Sequence, residues 1–377
     1  MSGLKRNKTV ICHISTVHPA YDDRIFYKQC VGLAEKGFKV HLIAHNNFDE
    51  QKNGVFIHAI PFYSSRIRRF ILGGAEALFK ALKIKADIYQ LHDPELIPWG
   101  LLLKVFGKKV IFDFHELVAS QIDSKEYFKS SFSKKTVLWF YLMTEKIAVK
   151  WFDVFLLAED GYKQYFKKKY SKHISKEFVI RNYPMVDFIQ RFDKPVKKNH
   201  TSIIYVGGLS LHRGIKETIK ALEILELPVR FIILGKWETE EYFEECKKLP
   251  GWKYVDYRGF KLLDDLYNDI NEADIGIALL HPIRNYTISL PVKIFEYMAL
   301  GKPVLMSDFP LWKKTFNDIG YFADPLNTFD IADKLNAILN NPEEASKKGK
   351  TGKEMVVKKF NWHNEMQEYL AAINYAI

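Results

Sequence analysis

The fold of this 377-residue chain is best indicated by one segment, which reads Ser289-Leu290-Pro291-Val292-Lys293-Ile294-Phe295-Glu296-Tyr297-Met298-Ala299-Leu300-Gly301-Lys302-Pro303-Val304-Leu305-Met306-Ser307-Asp308. Its pattern predicts a loop, a short helix that begins near Pro291, a stop at Gly301 and a buried strand over Val304–Ser307. Proline suits a first helical turn because an N–H group there has no partner within the helix. A loop, a helix and a strand in this order form the repeating unit of α/β domains.

The same segment predicts a binding site. The free N–H groups and the positive dipole end at the start of a helix attract anions such as phosphates. Glu296 lies about one turn inside the helix, where its carboxylate can accept hydrogen bonds from sugar hydroxyls. A phosphate site beside such a carboxylate suits a nucleotide-sugar. For the segment alone, the alternative is an ordinary αβ unit with a solvated glutamate.

Strands and helices alternate along both halves of the chain. The predicted strands of the first half are Thr9–Ser15, Val40–Ala44, Val55–Ile60, Asp87–His92, Val110–Phe114, Phe152–Leu157 and Glu177–Ile180, with a polar loop at Asn46–Asn53. Those of the second half are Ser202–Val206, Arg230–Leu234, Lys253–Tyr257, Ile275–Leu279 and Val304–Ser307. This alternation predicts parallel sheets that are covered by helices on both faces.

We therefore predict an α/β protein of two tandem Rossmann-like, doubly wound domains that face a cleft, since such sheets bind ligands at the carboxyl ends of their strands. The predicted domains are residues 1–188 and 201–360. Residues 189–200, which include Pro195 and a Lys-rich run, form the predicted linker. A last helix over 361–377 is predicted to pack back on the first domain.

Composition limits the possible classes of protein. The length suits two domains, and the hydrophobic content of 47% excludes a disordered chain. Three widely spaced cysteines, Cys12, Cys30 and Cys246, argue against a disulfide framework or a zinc site and favour a reducing compartment. No signal peptide and no apolar run of membrane-spanning length are predicted. The expected location is therefore cytoplasmic.

The positive charge is unevenly distributed. Residues 1–188 contain 30 Lys and Arg against 19 Asp and Glu, a net charge of +11, whereas residues 189–377 contain 26 of each, a net charge of 0. A basic half fits nucleic acid, an anionic membrane surface or an anionic substrate.

Three further motifs follow predicted strands. In Ile204-Tyr205-Val206-Gly207-Gly208-Leu209, a strand ends in glycines that allow close approach of a phosphate, and Arg213 can reach a diphosphate with a bidentate fork. Tyr257-Arg258-Gly259-Phe260 and Asp113-Phe114-His115-Glu116 also end strands. Alone, each has a structural alternative: a tight turn, a strand exit and a structural histidine, respectively.

Together these features resemble the retaining glycosyltransferases of family 4, which have two Rossmann-like domains (the GT-B type). The resemblance covers nearly the whole chain, is strongest from Ser202 to Asp308 and is weakest from Asn46 to Lys85. It implies transfer of a sugar from a nucleotide-diphosphate sugar, with UDP or GDP as the nucleotide, to a hydroxyl with retention at the anomeric carbon. It also implies that the leaving phosphate accepts the acceptor's proton and that no metal or other cofactor is needed.

The resemblance also assigns roles to residues of this chain. The implied catalytic residues are His115, Arg213 and Lys293. The implied donor-binding residues are Gly207, Gly208, Arg258, Gly259, Phe260, Asn285, Tyr286, Leu290, Pro291, Val292 and Glu296, with the contact at Tyr257–Phe260 made by the backbone. The implied acceptor-side residues are Asp22, Asp23, Arg24 and His92, where a solvated turn with a helix cap is the alternative for the first three.

The chain departs from the family pattern at two positions. Many members carry a basic residue where this chain has Gly208, and Lys293 is the candidate replacement. Members often carry a second glutamate near the transferred sugar, where this chain has Ile288. The second departure affects the identity of the donor sugar more than the class of reaction.

Two basic, aromatic-rich stretches indicate a membrane surface. Arg66–Lys85 and Lys125–Trp151 combine apolar residues at helical spacing with flanking Lys and Arg, a pattern typical of interfacial helices. The alternative is a domain face that packs on the core, with solvated lysines outside. We predict a peripheral protein on the inner face of the cell membrane, with a glycan or lipid-linked acceptor from cell-surface polysaccharide biosynthesis.

Other classes of function remain open from the sequence. A nucleic-acid-binding α/β protein would use the basic half, but no recognised nucleic-acid motif is present, so no nucleic-acid partner is predicted. A nucleotide-sugar epimerase or a phosphorylase could share the architecture. A catalytically inactive nucleotide-sugar-binding homologue would account for Gly208 and Ile288.

Overall fold

The chain forms two compact units. The computed structural model describes residues 9–115, 131–170, 176–196 and 200–377. Unit 1 comprises Met1–Asn182 and His363–Ile377, and unit 2 comprises Tyr183–Trp362. Each unit is built on one largely parallel sheet with helices in its connections, as predicted for two Rossmann-like domains.

The boundary between the units differs from the predicted one. It lies after Asn182 and not at residue 188, because Tyr183 and Ile189 are buried in the core of unit 2. The beginning of the predicted linker also belongs to unit 2, since the Asn271 amide donates to the Lys194 carbonyl at 2.7 Å.

The sheet of unit 1 has eight strands, in the order β3-β4-β2-β1-β5-β6-β7-β8. They are β1 (Val10–Pro19), β2 (Lys39–His45), β3 (Glu50–Lys52), β4 (Val55–Ile60), β5 (Ile88–Leu91), β6 (Lys109–Phe114), β7 (Val154–Leu157) and β8 (Glu177–Val179). Seven run parallel, but β3 pairs antiparallel with β4 and replaces part of the polar loop predicted at Asn46–Asn53. The Asn53-Gly54 turn, with φ of 49° and 78°, has the left-handed backbone that a tight hairpin requires.

The described helices of unit 1 lie mostly between these strands. They are Asp23–Cys30 with Val31–Glu35, Arg66–Arg68 continuing as Arg69–Gly73 and Gly74–Ile84, Pro94–Leu96 with Ile97–Val105, Ser131–Trp151, Asp160–Tyr170 and the final Trp362–Ala376. None of the described helices of the chain is long and apolar enough to cross a membrane.

The sheet of unit 2 has six strands, in the order β11-β10-β9-β12-β13-β14. They are β9 (Ser202–Val206), β10 (Arg230–Leu234), β11 (Val255–Gly259), β12 (Ile275–Ala278), β13 (Val304–Ser307) and β14 (Gly320–Ala323), the last of which the sequence pattern did not predict. The helices are Val186–Ile189, Gln190–Phe192, Leu211–Arg213, Ile215–Ala221, Leu222–Ile224, Glu240–Lys247, Pro250–Tyr254, Leu263–Glu272, Arg284–Thr287, Val292–Ala299, Pro310–Phe316, Thr328–Asn340 and Pro342–Lys358.

One contact fixes the helix Val292–Ala299 on the sheet of unit 2. A Cβ at Gly276 in β12 would lie 2.2 Å from the ring of Tyr297, so glycine makes room for that ring. The Tyr297 hydroxyl accepts a hydrogen bond from the Val206 N–H at 3.0 Å. This contact holds the helix against the carboxyl end of β9.

Candidate functional site

Glycines form part of the carboxyl edge of the unit 2 sheet. Gly207, Gly235 and Gly259 end three adjacent strands, and hydrogen bonds run from Gly207 N to Leu234 O (2.9 Å) and from Gly235 N to Gly259 O (2.8 Å). A Cβ at Gly235 would lie 1.8 Å from the Gly207 carbonyl oxygen, so only glycine fits there. A ligand can therefore approach the backbone of this edge closely.

Lys293 brings a buried amine to this edge. Its Nζ would lie 2.9 Å from a Cβ placed on Gly207, and it is 3.7 Å from the centre of the Tyr205 ring. The side chain is buried, and Nζ has no hydrogen-bond partner among the described residues. Burial and, next, repulsion from Arg213 hold the pKa of Lys293 well below its ordinary value, against the attraction of Glu296. An anionic ligand would supply the missing partner.

Arg213 provides a second cation. Its guanidinium carbon lies 4.7 Å from the centre of the Tyr286 ring, a stacking geometry that fixes the direction of the fork. The turn that carries it needs Gly214, which has φ of 68° and where a Cβ would lie 2.0 Å from the Leu279 carbonyl oxygen. Arg213 thus lies near enough to Lys293 to affect its pKa, and Lys293 in turn lies beside the strand-end Gly207.

Glu296 is half-buried near the start of the helix Val292–Ala299. Its Oε1 accepts a hydrogen bond of 2.9 Å from the hydroxyl of Tyr267, on the helix Leu263–Glu272. Pro291 has extended backbone (φ −70°, ψ 134°) and precedes the first helical residue, Val292. Proline is most common as the first helical residue itself, so this helix begins one residue later than that preference predicts. The tyrosine holds the carboxylate in one orientation, as hydroxyl recognition requires.

The Arg258 side chain is engaged by carboxylates of unit 2. Its guanidinium makes ion pairs with Asp256 and Glu272 at 2.7 Å each and with Asp269. The hydrogen bonds that Arg258 donates to the Glu272 carboxylate contribute most to the raised pKa of Arg258. Since three carboxylates engage its side chain, only the backbone of the Arg258-Gly259 strand end is available to a donor, which is the contact implied by the family.

Lys236 extends the edge beyond the predicted residues and lies beside Phe260, which was predicted to bind the donor. The Phe260 ring is 63% exposed, and Lys236 Nζ lies 4.9 Å from its centre. The sequence analysis missed Lys236, although Leu234-Gly235-Lys236 repeats the pattern of a buried strand followed by glycine and a cation.

The remaining predicted donor residues have different environments. Asn285 Oδ1 is buried without a hydrogen-bond partner among the described residues, and the Asn285 carbonyl accepts from Ser289 Oγ at 2.7 Å. Leu290 packs on the unit 2 core. Gly208 is exposed, and a Cβ there would meet nothing within 4 Å, so the family's basic residue is missing for a reason other than lack of space.

The carboxyl edge of the unit 1 sheet gathers histidines and aspartates. His115 follows β6, and its Nδ1 lies 3.1 Å from the Asp113 carbonyl oxygen, which only accepts, so Nδ1 carries the hydrogen and Nε2 can accept. The His18 ring is 5.4 Å from the His115 ring. Burial lowers the pKa of His115, and Asp113 opposes that shift. Glu116 lies outside the described residues.

The predicted acceptor-side residues are engaged inside unit 1. Arg24 donates to both Asp113 carboxylate oxygens (3.0 and 2.7 Å), and His92 is fully buried with Nδ1 3.3 Å from the same carboxylate. Asp22 caps its helix by accepting from Ile25 N at 2.8 Å, and Asp23 accepts from Lys28 Nζ at 2.5 Å. The side chains of Arg24 and His92 therefore both contact Asp113 inside unit 1, and their contact with an acceptor stays a prediction.

The Arg24–Asp113 pair belongs to a larger buried network. Gln29 also donates to Asp113 (2.8 Å) and accepts from Gln90 (2.8 Å), whose Oε1 accepts from the Tyr369 hydroxyl at 2.6 Å. Tyr369 lies on the final helix, which the sequence analysis placed on the first domain. The network connects that helix to the strands that carry the histidines.

Asp93 is a second buried carboxylate at this edge. It accepts from Ser15 Oγ (2.9 Å) and Thr16 N (2.6 Å), and His18 Nδ1 lies 3.0 Å away. Burial acts to raise the pKa of Asp93, but His18 and these donors outweigh it and lower the pKa from 3.8 to about 2. The ionised form is therefore stabilised by folding.

This shift predicts an acid-dependent loss of stability. Because the folded pKa of Asp93 lies below the unfolded one, its contribution of about 2 kcal/mol is complete above about pH 5 and lost as the pH falls toward about 2. Urea unfolding of the wild type and of Asp93→Asn should show a free-energy difference that shrinks as the pH is lowered from 5 to about 3. A difference that stays constant over this interval would show that the carboxyl is not shifted.

Two family models match the chain. The model described as Glycosyltransferase Family 4 matches residues 24–182, and the model described as Glycosyl transferases group 1 matches residues 186–355. No curated protein matches the sequence significantly.

Solved structures share the fold across nearly the full length. Sucrose-phosphate synthase from Thermosynechococcus elongatus is 18% identical, with a TM-score of 0.74 and coverage of 97% of this chain and 98% of its own. A glycosyltransferase from Rickettsia africae is 16% identical (TM-score 0.71, coverage 98% and 99%). HepE from Anabaena, in complex with UDP and glucose, is 13% identical (TM-score 0.72, coverage 97% and 99%).

Proposed function

Since the chain belongs to the glycosyltransferases with two Rossmann-like domains, the GT-B type, we propose that it transfers a sugar from a UDP- or GDP-sugar to a hydroxyl of a glycan or lipid-linked acceptor, with retention at the anomeric carbon. The observation that carries the donor assignment is the Lys293 amine beside Gly207, which has no hydrogen-bond partner among the described residues, with Arg213 as a second cation. Two cations at a glycine edge suit a diphosphate.

The same residues suit the chemistry. In the proposed transfer the bond between the anomeric carbon and the diphosphate oxygen breaks, the acceptor oxygen bonds to that carbon, and its proton passes to the leaving phosphate. Negative charge grows on the diphosphate, and Arg213 and Lys293 stabilise it. Glu296, held by Tyr267, would accept hydrogen bonds from the ribose hydroxyls.

Residues are proposed to contact the base and the transferred sugar from their places in the predicted motifs. The backbone at Gly259 and the exposed Phe260 ring would contact the base. Asn285 Oδ1, which is buried without a partner among the described side chains, would accept from a donor hydroxyl. His115 Nε2 in unit 1 is proposed to contact the transferred sugar.

The acceptor and cellular setting are proposed from charge. The net charge of +11 of residues 1–188 favours an anionic lipid surface and hence a lipid-linked acceptor, as in cell-surface polysaccharide biosynthesis. The three cysteines are buried and free, in keeping with a cytoplasmic location. No metal or other cofactor is proposed to take part.

One alternative follows from specific positions, and a second follows from the shared architecture. Gly208 and Ile288, which replace a basic residue and a glutamate of the family pattern, favour a homologue that binds a nucleotide-sugar without turning it over. A nucleotide-sugar epimerase of the same architecture would instead convert the donor with no acceptor present.

A thermal-shift panel tests the donor assignment. We expect UDP or GDP and one of its sugar conjugates to raise the unfolding midpoint by roughly 5 °C at a concentration far above Kd, with no metal and with a chelator present. UDP is the first ligand to test because HepE binds it. Arg213→Ala should lose the shift. No shift with UDP, GDP, ADP, CMP or their conjugates would contradict a nucleotide-sugar site.

A further inference from the structure

Three neighbouring helices cover part of the unit 1 sheet. They are Gly74–Ile84 with its preceding turns, Ile97–Val105 and Ser131–Trp151. Their connections β4 to β5, β5 to β6 and β6 to β7 run in one direction across the sheet, so right-handed crossovers place them on the same face. Trp99 joins the first two, since its Nε1 donates to the Phe70 carbonyl at 3.0 Å and its ring occupies the space above Gly74.

The outer side of these helices is unusually apolar. Half of all large apolar side chains that are exposed in the described residues lie here: Phe62, Ile67, Ile71, Leu72, Phe79, Leu102, Val105, Phe106, Val137, Trp139, Phe140, Met143, Ile147 and Trp151. We call this set the outer helical face. A patch of this extent on a soluble domain normally marks an interaction site.

The helix Ser131–Trp151 is apolar on two opposite sides. Its inner side buries Tyr141, Ala148 and Val149 against the unit 1 core, as for any domain helix. Its outer side repeats aromatic and aliphatic residues at a spacing of four, with Trp139 64% exposed and Trp151 53% exposed. A helix that serves only its own domain has a polar outer side, so this outer side needs a second apolar environment.

The charges beside the outer helical face are positive. Lys135, Lys146 and Lys150 are exposed on the same helix, whose sole acidic residue, Glu145, is buried and bonded to Lys169 at 2.7 Å. Arg66, Arg68, Lys83 and Lys85 are exposed on or next to the first helix. Lysines and arginines around exposed tryptophans match an anionic lipid surface, where the rings enter the interface and the cations meet headgroup phosphates.

We propose that the outer helical face binds the surface of an anionic lipid bilayer, with Trp139, Met143, Ile147 and Trp151 in the interface. A second copy of this chain is disfavoured, because pairing this face with itself would oppose lysine to lysine. The role of this lipid binding, which is to bring the enzyme to a lipid-linked acceptor, rests on the proposed function. Lipid binding can be measured without donor or acceptor, so each can fail without the other.

Vesicle co-sedimentation of the full chain tests the proposal. We expect binding to vesicles that contain phosphatidylglycerol, weak binding to phosphatidylcholine alone, and a blue shift of tryptophan emission on binding. Trp139→Ser/Trp151→Ser should weaken binding at least about tenfold, as should Lys146→Gln/Lys150→Gln. The control for the tryptophan variant is Leu326→Ser/Phe329→Ser, since Leu326 and Phe329 are 55% and 71% exposed in unit 2. The control for the lysine variant is Lys220→Gln/Lys248→Gln, at two exposed lysines of unit 2.

The outcomes separate clearly. Loss of binding in both face variants, with wild-type binding in both controls and unchanged turnover of a soluble acceptor, supports the proposal. Wild-type binding by Trp139→Ser/Trp151→Ser would overturn it, as would failure of the wild type to bind phosphatidylglycerol. A dimer in light scattering that this variant converts to a monomer, without lipid binding, would assign the face to a second copy instead.

Discussion

Lys293→Met is expected to remove most turnover and at the same time to make the protein more stable. We expect kcat/KM to fall by about 10²–10³-fold, the usual effect of losing one group that stabilises charge in a transition state. The midpoint of thermal unfolding without ligand should rise, corresponding to about 1–2 kcal/mol.

The two effects have one cause. The Lys293 amine is buried and has no hydrogen-bond partner in the described ranges, and burial and Arg213 lower its pKa well below the ordinary value. Methionine fills a similar volume without a desolvated amine, so the free protein gains stability. The diphosphate loses the cation that the buried amine provides, so the transition state loses its stabilisation.

Gly208 offers a rescue experiment. A side chain at Gly208 would meet nothing within 4 Å, and its backbone is outside the left-handed region. Gly208→Arg in the Lys293→Met background should therefore restore activity by at least about tenfold. Gly208→Ser in the same background is the matched control, because it changes the backbone residue without adding charge.

The readouts are steady-state kinetics with the donor identified by the thermal-shift panel and the unfolding midpoint without ligand. Full activity in Lys293→Met would remove Lys293 from the catalytic residues. A lower midpoint would show that the amine stabilises the fold and would leave the kinetic loss without a specific explanation. Equal rescue by arginine and serine at 208 would exclude replacement of a missing cation.

Arg213→Met is expected to lower kcat/KM by about 10²–10³-fold and to abolish stabilisation by the nucleotide. The guanidinium lies over the Tyr286 ring at 4.7 Å, which directs its fork, and it makes no ion pair within the part of the chain that the structure describes. Arg213→Lys should retain part of the activity, since it keeps the charge but loses the planar fork.

Unit 2 contains a matched control for this variant. Arg191 also lies over an aromatic ring, with its guanidinium carbon 5.5 Å from the centre of the Phe188 ring, although it is exposed and Arg213 is half-buried. Arg191→Met should leave donor affinity and turnover unchanged. Isothermal titration with the nucleotide measures affinity for both variants, and wild-type affinity in Arg213→Met would place the diphosphate elsewhere.

Much of the fold could be predicted because it depends on local patterns. Buried parallel strands are continuous apolar runs, and glycines stand where the chain leaves a strand, so the order of elements and the strand-end motifs at Gly207 and Gly259 follow from short windows. The short strands β3 and β14 were missed because three or four residues give little periodic signal. The Asn53-Gly54 turn was the available indication of β3.

The site was predicted less completely because its contacts join distant segments. Tyr267 orients Glu296 from 29 residues away, and Arg24 is bound by Asp113 across 89 residues. No pattern in a short window indicates such pairs. Arg24 and His92 were therefore given acceptor contacts, whereas the structure buries both in the network that ends at Tyr369.

By itself, the sequence determined two α/β domains, their strand-end glycines and the cations at 213 and 293, because backbone preference and burial periodicity are local properties of the chain. The tertiary structure alone decided which charges are available to a ligand. Arg258 and Arg213 are both arginines near a strand end, yet three carboxylates engage the first and an aromatic ring supports the second. Partners of a side chain are set by how separate segments pack, and that packing is a property of the folded chain.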